Sequence, residues 1–502
     1  MKNFAKHTLV LISMAIMSIP ALAQEVNTTN MLEMSPYRHY LNPAFEPITN
    51  GYFYIPAISH LQIYGGNNSL SMSSLIINQD GKTMWTLHPD SRVNLVDQLR
   101  PNTLVRAQTQ IALLGFGFRM KRNGGYLHVN IDANVDAGVG LPRDLFKFAL
   151  GGGMTDLNGA NNFDLKGLGV NAQAYLSLSA GYSKQVNDHW TWGVKVKLLD
   201  GIAHVGMRQE TLDLNASPEA WTLQGRGYMT LAGPFSSFPE NPTVDAFSSW
   251  ADQMPLYTTP DKILTPAGIG LAVDGGFTYK PIKYVKVSFA LTDIGAIRWF
   301  KGCKMGYDVN GRFEGMGSIT YSDYVDASGK FDGQQLGDTL LGRLETVYMT
   351  ALAPNDVYTN KGFFSPLTMK MNIGVDGYFA NDIIGVGLYS KTLLYNSKLY
   401  EELTLGAAIR PASWFNFALS YSFLNGQGSN LGAALGLRGG PFVLTLAADY
   451  TPLTYAKGTN SDGKAYGIPY KTTGVNVELG LGIVWGWRPK KSNVEKIEDL
   501  TL

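Results

Sequence analysis

The chain is poor in cysteine, in charge and in long apolar runs. Cys303 is its single cysteine, so neither a disulfide framework nor a cysteine-based metal site can be assembled within it. Asp, Glu, Lys and Arg together make up only 16% of the 502 residues, against about a quarter in ordinary soluble domains. The charges nearly cancel, at a net +1, which removes the electrostatic basis for a nucleic-acid partner. Beyond the N-terminal segment there is no apolar run of the ~18 residues that a spanning helix requires. A chain with this deficit crosses a bilayer only as a closed barrel, whose strands satisfy one another's backbone groups.

What is present fits that alternative. There are 56 glycines, about 11% against an ordinary ~7%, and aromatics reach 12%. Mean hydropathy is −0.05. A helical membrane protein of this size would be clearly positive, whereas every second residue of a barrel strand faces a polar lumen. The first residues form a secretory signal: Lys2 and Lys6, an apolar stretch from Leu9 to Ile19, then Pro20-Ala21-Leu22-Ala23. Cleavage is expected before Gln24, which makes 1–23 a signal peptide; no cysteine follows, so the product is not a lipoprotein.

Period-two alternation recurs along the rest of the chain. Leu127, Val129, Ile131, Ala133 and Val135 alternate with His128, Asn130, Asp132, Asn134 and Asp136. Val475, Val477, Leu479, Leu481, Ile483 and Trp485 alternate with Asn476, Glu478, Gly480 and Gly482, with Val484 the one exception. The stripes exceed the usual five or six residues of a soluble strand and suit a crossing of about ten; many end in the aromatics expected of interfacial girdles. Short connections rich in Gly, Pro, Asn or Asp at 121–125, 185–189, 280–284, 379–383, 410–414 and 438–442 alternate with long ones at 77–102, 140–168, 207–265, 301–364 and 452–472, and with two at 394–399 and 425–429 that are scarcely longer than the turns. Such alternation is the rule for outer-membrane barrels, with periplasmic turns and external loops.

These signals predict an all-β fold: a transmembrane antiparallel β-barrel over 51–488 with about 14 strands, at 53–76, 103–121, 125–139, 169–185, 189–206, 266–280, 284–300, 365–379, 383–393, 400–410, 414–424, 430–438, 441–451 and 473–487. Segments 207–232 and 305–325 have strand character of their own, as external hairpins or as two more strands that raise the count to sixteen. Helical pattern is confined to 142–150 and 340–349, both in long loops. Residues 489–502 form a charged tail expected in the periplasm. Residues 24–50 are too polar to cross a membrane, and form either a plug inside the barrel or a periplasmic segment. Tyr37, Arg38, His39, Asn42, Pro43 and Phe45 give that segment the aromatic and Asn-Pro content of an ordered plug.

Asn42-Pro43-Ala44-Phe45 directly before the first strand resembles the start of FadL-like barrels from Bacteroidota. The stretches Gly270–Pro281 and Val287–Gly295, the latter followed by Ile297-Arg298-Trp299, resemble the same group. The layout is similar to that of an uncharacterised Bacteroidota outer-membrane family related to FadL and to the secretion barrels PorV and PorP. That resemblance implies fourteen strands and a lumenal N-terminal segment, and names no substrate. In FadL-like barrels a strand kink opens a lateral path for hydrophobic ligands. Here Asp293 and Gly295 interrupt the apolar stripe Val287, Phe289, Leu291, as a wall kink or as a plain strand end.

Candidate chemistry is sparse. His128, Asp132 and Asp136 share one strand face, but residues four apart on a strand lie about 14 Å apart, too far to share one metal ion, so they read with Asn130 and Asn134 as lumen lining. Asp274, Asp376, Asp449 and Glu478 are also expected to point inward, as a cation-attracting ring or as paired lumen acids. Ser59-His60 would lie on opposite faces of a strand, and no G-x-S-x-G elbow occurs. No cofactor, metal site or enzymatic activity is expected. Two functions remain: uptake or binding of small hydrophobic compounds at the cell outer membrane, with membrane lipids around the barrel, and a non-transporting scaffold that docks a protein partner of a secretion or assembly complex.

Overall fold

In a computed structural model of the chain, the described residues are 27–487 except 57, 81, 87–89, 121–123, 151–160, 218–219, 234–264, all of 315–351 other than 325 and 335, 360, 396–397, 425–426, 452–454, 460–464 and 471–472. The signal peptide, the tail at 489–502 and the helical pattern at 340–349 lie outside the described residues.

Fourteen antiparallel strands close on themselves. In chain order they are β1 (Gly51–Tyr54 and Leu61–Asn67), β2 (Asn102–Arg119), β3 (Tyr126–Pro142), β4 (Gly169–Gln185), β5 (Trp190–Ala216), β6 (Gly268–Ile282) and β7 (Val285–Trp299). There follow β8 (Phe363–Pro366 and Met369–Phe379), β9 (Ile384–Tyr395), β10 (Lys398–Ala412), β11 (Phe415–Leu424), β12 (Gln427–Gly439), β13 (Phe442–Thr451) and β14 (Gly474–Trp485). Each pairs with its sequence neighbour, and β14 returns to β1 through Leu61↔Leu479 and Tyr52↔Val484. Closure leaves no edge strand in the wall.

Side-chain alternation decides which way each strand faces. On β14, Asn476, Glu478, Gly480 and Gly482 point inward and are buried, while Val477 and Trp485 are exposed on the outer face. Val484, the exception in the stripe, points inward and packs with Tyr37, Tyr52 and Tyr54. Outside, Val196, Leu198, Leu271, Leu388 and Leu405 contribute to an exposed apolar belt. One end of the barrel carries the tight turns, several of them built on left-handed backbone such as Gly125 (φ 85°) and Asn381 (φ 58°). Trp190, Tyr284, Phe379, Trp414, Phe442 and Trp485 are exposed at that turn end, where an interfacial girdle belongs.

The structure differs from the sequence reading in three places. The expected strand 53–76 is interrupted: Pro56 cannot donate to the ladder, the chain turns at 55–60, and Ser59 Oγ donates to Leu481 O (2.6 Å) to keep the wall joined. That strand stops at Asn67, whose side chain accepts from Ser69 N (2.9 Å) and Leu70 N (2.5 Å) in an Asx turn; a short helix at Met72–Leu75 and a hairpin at Ile76–Trp85 follow. Second, β5 runs ten residues past its expected end and, above the wall, pairs with Ala220–Ala232, which pairs in turn with Gly302–Glu314. These extra strands cap the loop end, while β5 pairs directly with β6, so the wall count stays at fourteen. Third, the strand expected at 365–379 begins at Phe363 and is interrupted at 367–368. The helix Arg143–Leu150 is present, with Phe148 packed on Phe163 and Trp221 under the cap.

Candidate functional site

Residues 27–50 occupy the barrel interior. The segment descends from Asn27, among loop-end side chains, to Asn50, whose N–H bonds Trp485 O (2.9 Å) at the turn end. At the top, Asp449 accepts from Asn27 N (2.6 Å) and from the Thr28 hydroxyl, and Glu478 accepts from Thr29 (2.9 Å). Lower down, Met31 and Leu32 pack on Tyr389 and on small residues of four strands, Ala408, Ala418, Ala434 and Ala447. Arg410 pairs with Glu33 (2.9 Å), and Asn372 donates to Leu41 O (2.9 Å). Arg119 holds Glu46 at 2.6 Å near the turn end.

The wall is shaped for this segment. A Cβ at Gly193 would overlap the backbone of Pro43 and Ala44, one at Gly276 the Asn42 amide, and one at Gly480 the Tyr37 ring. Glycine at these positions permits an approach that any side chain would prevent. Arg38 lies over the Phe45 ring at 4.4 Å.

The inward acids are occupied by partners. Asp132 accepts from Tyr40 (2.7 Å), Asp136 from Arg106 (2.7 Å), and Asp376 from the Tyr389 hydroxyl beside Lys286 (2.9 Å). Asn134 donates to Ser177 (3.1 Å), Asn130 lies 3.4 Å from the Tyr52 hydroxyl, and His128 stacks on His39 at 4.4 Å. Ser59 and His60 are both buried in the β1 interruption rather than on opposite strand faces; His60 stacks on Tyr40 and faces Glu478 at 3.8 Å. Among the described residues, no group of His, Cys, Asp and Glu is arranged to hold a metal ion. Cys303 is buried in the cap.

His39 sits at the centre of the packed segment. Lys195 Nζ donates to its Nδ1 (3.1 Å) and to its carbonyl (3.2 Å), while Nε2 faces the hydroxyls of Tyr54 (3.0 Å) and Tyr52 (3.2 Å). The lysine donor requires an unprotonated Nδ1. Burial first, and the Lys195 charge second, hold the His39 pKa well below its ordinary 6.5.

At mid-height Asp293 has φ 61° and the β6–β7 register shifts opposite it. Before this bulge, Lys286, Ser288, Ala290 and Thr292 face inward; after it, Ile297 and Trp299 do. A bulge that changes parity in this way turns Asp293 into the lumen. There its carboxylate meets Lys197 (2.6 Å) and Lys370 (3.1 Å), while Asp274 meets Lys197 (2.8 Å) and accepts the Asp293 N–H (2.8 Å). Gly295 bonds through its carbonyl to Leu367 N (3.0 Å), within the gap between the two pieces of β8. The wall is therefore irregular on both sides of one point. The lysines here went unread in the sequence; Lys195 and Lys197 share the parity of Gly193, which is the signal that would have placed them.

Toward the loop end, opposite walls meet. Leu104 on β2 packs with Leu393 and Tyr395 on β9, half a turn of the barrel away. Arg106 lies between Tyr64 (5.3 Å) and Tyr395 (5.9 Å), with Asp136 on β3 and Thr368 on β8 closing the span. Beyond this pinch lies a cavity of about 200 Å³, walled by β4, β5, the strand Ala220–Ala232, β8 and β9. Phe363, Leu367, Met207, Tyr228 and Tyr395 supply its apolar lining, and Asn171, His204, Thr230, Ser365 and Thr368 its polar lining. A buried cavity of about 150 Å³ holds benzene, so the space suits a compound of one ring. Below the pinch, the space among Tyr40, Asp132, Lys195 and Asp293 is only about 30 Å³.

Residues 43–449 match the family described as Family of unknown function (DUF5723), and the chain belongs to that family. No curated protein matches the chain. Among solved structures it is similar to a Pseudomonas aeruginosa FadL homologue (TM-score 0.39, 10% identity, 93% of this chain and 100% of that one). It is also similar to the Pseudomonas putida toluene transporter TodX (TM-score 0.37, 7% identity, 93% and 98%) and to the Ralstonia pickettii toluene transporter TbuX (TM-score 0.35, 10% identity, 90% and 94%).

Proposed function

We propose that this barrel lies in the outer membrane of a Gram-negative cell, with its turn end toward the periplasm, and that it binds small hydrophobic compounds in the loop-end cavity for uptake. The observation that carries the reading is a one-ring cavity of about 200 Å³ placed over a lumen that residues 27–50 enter and the pinch narrows. A compound entering from outside meets Phe363, Tyr228 and Leu367 first, and among the described residues the inserted segment and the pinch narrow the way onward. The irregular wall at Asp293, Gly295 and the β8 gap borders the same cavity through Leu367 and Thr368, which makes it the exit of least resistance into the bilayer. In this reading residues 24–50 are a plug whose release would leave the pinch as the remaining axial narrowing.

Native mass spectrometry of the barrel purified in mild detergent tests the proposal. One small hydrophobic compound per barrel is expected, lost in the variant Phe363→Ala. A stoichiometric protein partner with no small compound would overturn it in favour of the docking scaffold.

A further inference from the structure

We infer that the cavity takes one-ring monocarboxylates, with the ring among Phe363, Leu367 and Tyr395 and the carboxylate held at the mouth by Arg208. The inference rests on the reading of the cavity as a ligand site and names the chemistry of what it takes.

Most of the uncharged polar groups that line the cavity already have partners. Ser365 accepts from Trp299 Nε1 (2.8 Å) and donates to Gln173 (3.0 Å). The Asn171 carbonyl accepts from the Tyr395 hydroxyl (3.0 Å), and His204 pairs with Thr230 (2.9 Å). Thr368 donates to Asp136 (2.7 Å), which is not part of the lining and is itself held by Arg106 (2.7 Å). Arg208 differs. It lines the cavity from β5, is exposed, and makes no hydrogen bond or ion pair among the described residues. Its cross-strand neighbours, Gly169 on β4 and Tyr228, carry no charge to pair with it.

The charges around the cavity favour a single anion. No Asp or Glu is among the residues that line it. Lys304 Nζ lies 4.0 Å from the centroid of the Tyr228 ring, so a second cation stands behind the lining. A carboxylate matches the planar guanidinium with two parallel hydrogen bonds, and its one charge answers the one unpaired arginine. Because Arg208 is exposed, the carboxylate stays at the wet mouth while the ring enters the apolar space, so no charge is buried dry. The contact is a gain rather than an exchange, since Arg208 gives up water and breaks no bond within the protein. An alcohol on the same ring offers the arginine only a neutral acceptor, which bonds more weakly. An ammonium on that ring meets Arg208 and Lys304 as like charges.

The experiment is isothermal titration of the full-length barrel in phosphatidylcholine nanodiscs with benzoate, benzyl alcohol and benzylamine at neutral pH, using empty discs as blanks. The three probes share one ring and differ in the head group. Benzoate is expected to bind about fivefold more tightly than benzyl alcohol, the upper end for an exposed ion pair, and benzylamine more weakly than both. Arg208→Gln should bring benzoate down to the level of benzyl alcohol and leave benzyl alcohol unchanged. Arg208→Lys keeps the charge without the planar fork and should retain part of the preference. Phe363→Ala should weaken benzoate and benzyl alcohol alike, which places the ring of both in the cavity. Heat-modifiable migration in electrophoresis checks that each variant is a folded barrel. Equal affinities for benzoate and benzyl alcohol would overturn the inference while leaving the cavity a ligand site. So would benzoate binding that survives either Arg208→Gln or Phe363→Ala unchanged. If no probe binds, the cavity reading itself falls.

Discussion

The two ends of this lumen are built on opposite principles. At the turn end, a segment of the chain's own sequence fills the interior: Tyr37, His39 and Tyr40 stack among Tyr52, Tyr54, His60 and His128, and wall glycines allow backbone-level contact. At the loop end the walls themselves lean together at Leu104, Arg106 and Tyr395, and a cavity remains beyond the contact. Among the described residues, 27–49 join no strand of the wall and are held by side-chain packing and hydrogen bonds. A pinch of wall residues is fixed to strands that cannot leave. The lumen is thus filled by an inserted segment at the turn end and narrowed by wall residues at the loop end, with the wall irregularity between them.

The largest effect should come from the charge cluster at that irregularity. Lys197→Met strips the shared cation from Asp274 and Asp293, and breaking a buried ion pair from one side costs about 3–5 kcal/mol. Urea unfolding of the barrel in lipid vesicles should show that loss, and a change under ~1 kcal/mol would mean the bulge does not depend on the cluster. Next comes the peptide seal. Gly193→Val sets side-chain atoms against the Pro43 and Ala44 backbone, which cannot rotate away. Planar-bilayer conductance should rise about tenfold as the segment is pushed out, while unfolding stability of the wall barely changes. An unaltered conductance would show that the pinch alone closes the lumen. The cavity variant Phe363→Ala is smaller in scale: losing one aromatic contact should weaken a one-ring ligand by about 1–2 kcal/mol, read by titration, with conductance unaffected.

Sequence alternation reached the wall almost completely, because each strand must put apolar residues on lipid and small or polar residues inside. The β3 and β14 stripes show this, and even the discordant Val484 proves to be an inward residue with an apolar neighbour to meet. What stayed hidden are features that depend on two distant strands at once. Asp274 and Asp293 were visible as single acids, yet their common partner Lys197 comes from β5, 77 and 96 positions away in the chain. The cavity draws on β4, β5, β8 and β9 together with a strand above the wall, and no single stripe carries a mark of it. Segments 207–232 and 305–325 were legible as strand, but not whether as external hairpins or as two more wall strands, since pairing partners, not propensity, decide whether a strand enters the membrane.

The last and smallest effect concerns acid, and it separates the inserted segment from the pinch. His39 is the buried histidine of the inserted segment, with Lys195 donating to its Nδ1 and with Tyr52, Tyr54, His128 and His60 around it. Its pKa inside the barrel is well below 6.5, the value it regains once the segment leaves. The inserted state therefore binds fewer protons than the released one at any pH below that ordinary value. By linkage, insertion is unaffected above about pH 7 and weakens as pH falls through 6.5, by at most ~1.4 kcal/mol per pH unit for this one group. Protease access to residues 27–50 in vesicle-embedded barrel should accordingly rise several-fold between pH 7 and pH 5. His39→Gln keeps an acceptor for Lys195 and a donor for Tyr54 but cannot take up the proton. It should remove the His39 share of that rise; His60 and His128 remain in the variant and keep their own. Among the described residues the pinch at Arg106 has no histidine contact, and His204 in the cavity lining is buried and paired with Thr230, so ligand affinity in the cavity should stay flat over the same range. A cavity affinity that fell in step with protease access would show that the segment and the pinch are mechanically one.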